Sequence, residues 1–469
     1  MTLPSISSIG IIGGGVSGVL LAIQLMQQSQ SPLRIYLVEE NPPIGLGIAY
    51  RTSFDEHLLN VPASGMSLFP EQPQHFSQWL EAHFPEAYSA EDFVPRRWFG
   101  WYVQDVFEKS RRSSASRVHF QTYCSGATRI ERSQGQARIG LADGRQLGVD
   151  AVVLALGNYP PADPVLAQVD WPDHFYFSNP WNEQLYQHAQ SLEQVLLIGA
   201  GLTALDVVIG LEKKGYRGQY HLVSTHALLP RVHQPFGNHM LTFDISQLPD
   251  RLSARELILL FRRELVQAQG DWRAVIQALR PLSVALWRRL PPEQQVVFLR
   301  RLAPFWNVHR HRIAPAIAEQ VDQLRVSGRL RIWQGRVRTV GYEKQEGTVE
   351  LKLKQAPHRV SLPVNRIINC TGPQGDYNWI ARQNPLVGNL MAQGLLRPDF
   401  TRTGLDAKPD GRLLGADGQP SSYLFTLGTP MKGILFECTS VPEIRKQADE
   451  LATLLLGQLK CETPLGFFI

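Results

Sequence analysis

The sequence predicts an α/β fold in which one strand–turn–helix plan occurs twice and a mainly helical segment is inserted into the second copy. An apolar run ends in the glycine-rich turn 13–18, and a similar run ends in the turn 199–204. Each copy later returns to an apolar run, at residues 151–157 and 366–372. Such runs are typical of parallel strands that are covered on both faces. Two copies with matched closing strands argue against one large sheet with coincidental glycines.

The first turn has the spacing of a dinucleotide-binding site. Gly13 permits a tight turn, Gly15 lets the backbone approach a pyrophosphate, and Gly18 lets the helix lie close to the strand. Glu39 ends the next strand about 20 residues later, where an acid would accept hydrogen bonds from ribose hydroxyl groups. The free N–H groups at the helix N-terminus would bind the phosphates. The sequence therefore predicts a Rossmann-like dinucleotide-binding domain here.

The second turn repeats this pattern with alanine at the third position. Gly199 and Gly201 follow the strand 194–198, and Ala204 replaces the third glycine, which the pattern allows. Two dinucleotide sites in one chain indicate two different dinucleotides, of which the usual pair is a resident flavin and a visiting nicotinamide. We therefore predict two Rossmann-like dinucleotide-binding domains, with FAD as one cofactor and NADPH or NADH as the other.

FAD is assigned to the first site because the C-terminal segment is expected to return to it. Residues 422–428 are interpreted as a strand of the first domain. Ser440 and Glu443 then have the spacing of a capping box, and Pro442 suits the first turn of the helix that follows. That helix N-terminus would stabilise an anionic reduced flavin if it were aimed at the pyrimidine ring. The alternative is a well-capped surface helix.

The composition excludes several classes of protein. The 469 residues are 43% hydrophobic and 19% charged, as in ordinary globular proteins. A net charge of +5 is too small for this length to indicate nucleic-acid binding. The four cysteines are widely spaced, which argues against a disulfide scaffold, a zinc site or a local redox pair. With no signal-peptide pattern and no membrane-spanning run, we expect a cytoplasmic protein without metal or membrane association.

Residues 235–330 are expected to form a mainly helical cap over the cleft between the two domains. Ser253 and Glu256 have capping-box spacing, and further helices are expected to begin near Pro292 and Pro315. Arginine is frequent in this segment, which indicates either a solvated helix face or a surface that offers positive charge to an anionic ligand. The predicted division is an FAD domain, an NAD(P) domain and the cap, over residues 1–165 with 365–469, 166–234 with 331–364, and 235–330.

Beyond the glycine turns, the chain resembles the flavin-dependent monooxygenase superfamily, and more closely the FAD/NAD(P)-binding proteins called YdhS-like. The resemblance covers nearly the whole chain and is carried by five further stretches, residues 45–50, 57–63, 94–102, 307–315 and 436–445. It implies FAD bound at the first site, reduction by NAD(P)H from the second, and oxygen transfer through a C4a-(hydro)peroxyflavin. The partners would then be molecular oxygen and a small polar substrate, and N-hydroxylation of an amine or amino acid is the narrower expectation.

The sequence departs from the superfamily after the second strand of the second copy. Many relatives carry Ser-Arg-Arg-Gly there, whereas this chain has Ser224, Thr225, His226 and Ala227. Paired arginines would bind the 2′-phosphate of NADPH and an acid would bind the 2′-hydroxyl of NADH. The absence of an acid favours NADPH, with Ser224 and Thr225 as hydrogen-bond donors to phosphate. Decay of the nicotinamide site is the alternative.

Motifs and resemblance together give a set of candidate site residues. The FAD set is Gly13, Gly15, Val16, Ser17, Gly18, Glu39, Gly47, Tyr50, Asn60, Gly157, Gly428 and Glu437. The NAD(P) set is Gly199, Gly201, Leu202, Thr203, Ala204, Ser224 and Thr225. Candidates for a catalytic role are Asn60, Arg310 and Arg312, although the resemblance implies that the flavin carries the chemistry. Arg96 and Arg97 could bind a phosphate or substrate, or form buried ion pairs.

Three functional hypotheses follow from the sequence. The leading one is the monooxygenase. The second is an FAD-dependent NAD(P)H oxidase or dehydrogenase without oxygen transfer, and the third is a non-catalytic flavin-binding regulatory protein. The sequence does not indicate the substrate, the pathway or the oligomeric state.

Overall fold

The computed structural model describes residues 7–133, 135–162, 166, 169–343, 346–354 and 359–461. The strands are β1 (Ser7–Ile12), β2 (Leu33–Val38), β3 (Val118–Tyr123), β4 (Ala127–Ser133), β5 (Gln136–Leu141), β6 (Gln146–Val149), β7 (Ala151–Leu154), β8 (Tyr176–Phe177), β9 (Gln194–Ile198), β10 (Gln219–Ser224), β11 (Leu330–Glu343), β12 (Glu346–Leu353), β13 (Val360–Val364), β14 (Arg366–Asn369), β15 (Arg412–Leu414) and β16 (Pro420–Thr426). The helices are α1 (Val16–Gln28), α2 (His75–His83), α3 (Arg96–Ser114), α4 (Leu202–Lys213), α5 (Ala254–Gln267), α6 (Trp272–Leu279), α7 (Ser283–Arg288), α8 (Pro292–Arg301), α9 (Ala303–Arg310), α10 (Pro315–Val326), α11 (Tyr377–Ile380), α12 (Pro385–Ala392), α13 (Lys432–Leu435) and α14 (Val441–Cys461).

The first sheet contains strands from both ends of the chain. Its order is β15-β16-β7-β1-β2-β3, and its pairs are parallel except β15 with β16. The C-terminal strand β16 pairs with β7, with Leu424 opposite Val152. The helix α1 is buried from Val16 through Met26, apart from partly exposed Ser17, because its apolar residues pack between this sheet and α14. The expectation that the C-terminal segment returns to the first domain is therefore confirmed.

The second sheet has the order β13-β12-β11-β10-β9-β14-β8. Its central pairs are parallel, and β11 to β13 continue it as an antiparallel meander. Strand β14 lies here, beside β9, with Ile368 opposite Leu197. The predicted boundary at residue 365, which assigned this strand to the FAD domain, is therefore wrong, because the four residues Arg366–Asn369 are buried against the second sheet. The other boundary, residue 165, lies outside the described residues.

A small antiparallel sheet of β4, β5 and β6 packs against the first sheet, which the sequence analysis did not foresee. The contact is close at Gly10 of β1, where an added Cβ would lie 2.5 Å from the side chain of Ile139. Its buried residues join those of α11 and α12 in one apolar cluster.

The cap is helical, as predicted. Helix α5 begins with the expected capping box, in which the N–H of Glu256 donates to Ser253 Oγ at 3.2 Å and the N–H of Ser253 donates to Glu256 Oε2 at 2.7 Å. Helices α8 and α10 begin at Pro292 and Pro315. The cap has its own apolar cluster around Val275 and Trp287. No helix in the described part of the chain is long and apolar enough to cross a membrane.

The capping box predicted at Ser440 is wrong, although the helix α14 does begin there. The Oγ atom of Ser440 is buried and has no hydrogen-bond partner among the described residues. The carboxylate of Glu443 instead accepts two hydrogen bonds from Arg280 of the cap, at 2.7 and 3.0 Å. A partly buried carboxylate gains more from a guanidinium than from a backbone N–H, so the long-range pair replaces the local one.

Candidate dinucleotide sites and the cap

The first glycine-rich turn has the geometry of a cradle for a pyrophosphate. Gly13 has φ +108°, and a Cβ there would lie 2.2 Å from the carbonyl oxygen of Ala155. A Cβ at Gly18 would lie 2.0 Å from the carbonyl oxygen of Gly13. A Cβ at Gly15 would meet only the Cα of Gly47, at 3.7 Å. Gly13 and Gly18 are thus required by the fold itself, whereas Gly15 borders space that a ligand could occupy.

Helix α1 points its first N–H groups toward this space. It begins at Val16, directly after Gly15, and none of the described side chains caps it. Uncapped N–H groups and the helix dipole favour an anion. The C-terminal segment reaches the same place, since a Cβ at Gly428 would lie 2.7 Å from Ser17 Oγ. The predicted residues Val16, Ser17 and Gly428 therefore lie together.

Glu39 shapes the cradle from the end of β2. Its Oε2 accepts a hydrogen bond from the N–H of Gly14 at 2.7 Å, and its Oε1 accepts one from the N–H of Asn41 at 2.8 Å. An ionised carboxylate has about four acceptor positions, so two remain for a ribose diol. Glu39 is half-buried, which leaves it accessible from the side of the turn.

Two other predicted residues of the first site take different positions. Gly157 has φ +64°, and in the described structure no atom lies within 4 Å of an added Cβ, so it borders open space. The ring of Tyr50 packs on Phe99 at 4.8 Å, in the first apolar core, and burial raises the pKa of its hydroxyl to about 12. Tyr50 is partly exposed, and its role in binding FAD stays a prediction.

The second turn has the same geometry. Gly199 has φ +125°, and a Cβ there would lie 2.2 Å from the carbonyl oxygen of Cys370. No described atom lies within 4 Å of a Cβ added at Gly201. Helix α4 begins at Leu202 with no cap from any described side chain, and Ala204 is fully buried below it. Thr203, in the first turn, is half-buried.

The predicted nucleotide residues at the end of β10 lie under the cap. Ser224 Oγ accepts a hydrogen bond from the N–H of Ala227 at 3.0 Å, which closes a turn. Thr225 is exposed, and its hydroxyl lies 3.0 Å from His226 Nδ1. The ring of His226 contacts Phe305 of helix α9, with 5.8 Å between the ring centroids.

A buried ion pair joins the two cradle-bearing domains. Arg96, at the start of α3, donates to both carboxylate oxygens of Asp206 in α4, at 2.7 and 3.0 Å. The two side chains are 13% and 14% exposed. His57 Nε2 lies 2.9 Å from the carbonyl oxygen of Asp206, and burial lowers the pKa of this histidine. Arg97 pairs with Asp55, so both arginines that the sequence left open form ion pairs.

The cap is attached to the C-terminal segment through Glu437. Trp306 Nε1 donates to Glu437 Oε1 at 2.9 Å, and Arg310 Nε lies 3.3 Å from Glu437 Oε2. The carboxylate of Glu437 therefore serves as the counter-ion of the buried Arg310, and the binding of FAD by Glu437 stays a prediction. Helix α9 includes residues 303–310, so Arg310 and Arg312 do not share the face that a strand would have given them.

Arg312 is buried without a counter-ion. It is 8% exposed, and its Nε and Nη1 atoms have no partner among the described residues. Burial, together with repulsion by Arg273, Arg310 and Arg280, lowers its pKa to about 10. Near it, His233 Nε2 lies 2.9 Å from the carbonyl oxygen of Asn60, which connects the cap to the first domain.

Sequence reasoning missed Asp206, His233 and Trp306. A signal existed only for Asp206, which is a lone acid within the apolar run of α4. A buried carboxylate of this kind requires a partner, but the sequence does not say which cation provides it.

Two glycine cradles, each between a parallel strand and an uncapped helix, define a protein with two dinucleotide-binding domains. Known proteins resemble the chain in this feature. Residues 10–159 match a family model described as FAD-NAD(P)-binding. A search of the curated proteins finds no significant match to the sequence.

Solved structures of N-hydroxylating flavoenzymes share the fold. Ornithine hydroxylase from Pseudomonas aeruginosa, in its reduced form, matches with a TM-score of 0.64 and 16% identity. Ornithine N-hydroxylase from Kutzneria sp. 744, with reduced FAD, NADP+ and L-ornithine, matches with 0.64 and 14%. L-lysine 6-monooxygenase from Pseudomonas syringae matches with 0.66 and 16%. Each match covers 97% of this chain and 100% of the other.

The predicted fold class is therefore confirmed, and the chain shares its fold with these hydroxylases and monooxygenases. The narrower YdhS-like resemblance stays a prediction.

Proposed function

We propose that this protein is an FAD-dependent, NAD(P)H-reduced monooxygenase that hydroxylates the nitrogen of a small amine or amino acid. The observation that carries the proposal is the presence of two open glycine cradles joined by a buried ion pair. Gly15 and Gly201 both border free space, and Arg96 connects α3 to Asp206 beside the second cradle. The shared fold with ornithine and lysine monooxygenases supports the reaction class.

The first cradle fits FAD. The start of α1 and the backbone at Gly15 would bind the pyrophosphate, and Glu39 would bind the ribose with the acceptor positions that Gly14 and Asn41 leave unused. Close approach of Gly428 to Ser17 places the C-terminal segment beside the same ligand. When bound, FAD would supply the hydride acceptor and the oxygen chemistry.

The second cradle fits a nicotinamide dinucleotide. The start of α4 and the backbone at Gly201 would bind the pyrophosphate. Ser224 and Thr225 lie at the end of β10, where the adenosine ribose of a bound dinucleotide is expected. Thr225 is exposed, and no acid stands at this strand end, which favours NADPH over NADH.

The cap would separate the reaction from water. It contacts the first domain through His233 and Asn60, and the C-terminal segment through Trp306 and Glu437. It also contacts the second domain near His226. A closed site of this kind limits the escape of reactive oxygen species and strengthens electrostatic contacts.

The test uses the purified protein with its bound flavin. We expect about one FAD per chain, and NADPH should bleach the flavin under anaerobic conditions. In air, an accepted amine should produce a hydroxylamine and lower the hydrogen peroxide released per NADPH consumed. Peroxide formed one-for-one with NADPH, whatever amine is added, would instead indicate an oxidase. Failure of both NADPH and NADH to bleach the flavin would indicate a binding protein.

A further inference from the structure

The cap contains a half-open apolar cavity that neither dinucleotide occupies in the proposed function. Its volume is about 330 Å³, within the usual range for ligand pockets. Of the described residues that line it, all but Ser283 and His309 are apolar or aromatic, among them Leu260, Trp272, Trp306 and Phe436. Such a lining favours the apolar part of a molecule over a nucleotide or a sugar.

Positive charge lies next to one wall of this cavity. Trp272 belongs to the wall, and the guanidinium of Arg273 lies over the Trp272 ring at 4.2 Å. The Nε atom of Arg273 is buried without a partner among the described residues, although its Nη2 donates to the carbonyl oxygen of Val232 at 3.3 Å. Asp271 offsets part of its charge.

Arg312 belongs to the same cluster and has less compensation. The next residue, Ile313, bridges Val232, whose carbonyl oxygen accepts the hydrogen bond from Arg273. The charges of Arg273, Arg310 and Arg280 lower the pKa of Arg312 by repulsion, after the larger effect of burial. Arg310 has Glu437 as a counter-ion, whereas Arg312 pairs with no acid among the described residues and contacts the face of Phe236 at 5.4 Å. A buried guanidinium without an anion is unfavourable, because burial removes hydration that no hydrogen bond replaces. The unpartnered N–H groups of Arg312 are therefore available to an acceptor from a ligand.

We propose that the cap binds an amphipathic carboxylate, with its apolar body in the cavity and its acid group on Arg312 and Arg273. A carboxylate supplies two oxygens to the unpartnered N–H groups, and guanidinium–carboxylate hydrogen bonds are among the strongest in proteins. The consecutive residues Trp272 and Arg273 connect the two parts of the site. Trp272 lines the cavity, and Arg273 belongs to the arginine cluster. The proposal concerns what the cap binds, and it holds whether or not the proposed oxygenation is correct.

The experiment is equilibrium dialysis of the flavin-loaded protein with decanoate and, separately, with decan-1-ol. We expect saturable binding of one decanoate per chain, at least about tenfold tighter than decan-1-ol, because only the acid can pair with the arginines. Equal binding of the two probes, or no saturable binding of decanoate, would overturn the proposal.

Two variants locate the site. Arg312→Met should weaken decanoate by about tenfold and leave decan-1-ol unchanged, whereas Arg300→Met, an exposed arginine of the same cap, should change neither. Leu260→Trp should fill the cavity and weaken both probes. Val266→Trp adds the same side chain on the same helix at a position that is 75% exposed, and should have no effect. Decanoate binding that is insensitive to either Arg312→Met or Leu260→Trp contradicts the proposal.

FAD content and bleaching by NADPH are measured on the same samples. Both should be unchanged in Leu260→Trp, so loss of decanoate binding can be separated from failure of the dinucleotide sites. A variant that loses FAD or its cooperative melting is set aside, and the other variant then decides the proposal.

Discussion

The two cradles share one backbone plan residue by residue. The N–H of Gly13 donates to the carbonyl oxygen of Val38 at 2.8 Å, and the N–H of Gly199 donates to that of Val223 at the same distance. The closing strands correspond as well, because Ala155 and Cys370 each lie against the first glycine of their turn. This register aligns Glu39 with Ser224 and Gly18 with Ala204. The likeness follows from what a tight turn between strand and helix requires.

The cradles differ in what surrounds them. In the first, Gly47 lies 3.7 Å from the position of a Cβ on Gly15, and Gly428 lies against Ser17. In the second, no described atom lies within 4 Å of the corresponding position on Gly201, and Ser224 replaces the acid. A ligand held on more sides dissociates more slowly, so the difference suits a resident FAD in the first cradle and an exchanging nicotinamide in the second. Each experiment below tests that contrast.

The largest difference in stability is expected at the third glycine-pattern position of each turn, which is Gly18 in the first and Ala204 in the second. Gly18→Val should prevent the first domain from folding, since even a Cβ would lie 2.0 Å from a backbone oxygen. The matched change Ala204→Gly should cost about 1 kcal/mol of unfolding free energy, because glycine is a poorer helix former. Thermal unfolding and FAD content check both. A Gly18→Val protein that binds FAD normally would show that the turn can rearrange.

Substitutions at the middle glycine of each turn, Gly15 and Gly201, should distinguish the two sites most clearly. Gly15→Leu should leave a folded but colourless protein, because its side chain fits the free space that the pyrophosphate would occupy. Gly201→Leu should leave the protein yellow but prevent bleaching by NADPH. Flavin absorbance and anaerobic titration are the measurements. Loss of FAD from folded Gly201→Leu, or its retention in Gly15→Leu, would reverse the assignment.

The ion pair between the domains should contribute to stability rather than to either cradle alone. Arg96→Met should lower the unfolding free energy by about 3–5 kcal/mol, because it leaves the carboxylate of Asp206 buried without its partner. Asp206→Asn should cost less when combined with Arg96→Met than on its own. Denaturant unfolding of the single and double variants measures this coupling. If the losses of unfolding free energy add, the interaction between Arg96 and Asp206 contributes nothing to stability.

A smaller contrast is expected at the strand ends. Glu39→Ala should weaken FAD by about 1.5–3 kcal/mol, because it removes a charged acceptor from the ribose and from the N–H of Gly14. Ser224→Ala at the aligned position should change NADPH affinity much less, since its hydroxyl is used mainly to close a turn. Calorimetric titration of each nucleotide measures both. Equal losses of affinity would mean that Glu39 and Ser224 contribute equally to nucleotide binding.

The smallest expected effect is a change in the preference for NADPH over NADH. Thr225→Arg with His226→Arg should raise the ratio of kcat/KM for NADPH to that for NADH, because guanidinium groups can bind a 2′-phosphate. Substituting both residues with glutamine is the control for lost side chains. An unchanged ratio would show that this strand end does not face the adenosine ribose.

Local patterns predicted local structure well. Both glycine turns, the helices that follow them and the capping box at Ser253 depend on backbone geometry and on residues within four positions of each other. At Ser440 the same reasoning was wrong, because Arg280 lies 163 residues from Glu443 in sequence but within hydrogen-bond distance. Local rules hold where no stronger distant partner is available.

The candidate site residues show the same difference between local patterns and distant contacts. Gly13, Gly15 and Glu39 were correctly placed near one another, because the spacing of a strand–turn–helix–strand unit brings the end of β2 beside the turn, where Glu39 accepts a hydrogen bond from the N–H of Gly14. The motifs did not indicate that Tyr50 packs on Phe99 or that Glu437 pairs with Arg310. Burial and charge pairing depend on the tertiary structure, and the roles of these two residues at FAD stay predictions.

The sequence by itself determined that the chain has two dinucleotide-binding turns and a helical insertion, because glycine spacing and apolar periodicity act over a few residues. Only the tertiary structure decided that β14 pairs beside β9, that Arg96 meets Asp206, and that Arg312 is buried without a counter-ion. The physical reason is that charge compensation and strand pairing depend on distances in space. The sequence contains many arginines and many acids, and only the fold selected which acid, if any, each arginine meets.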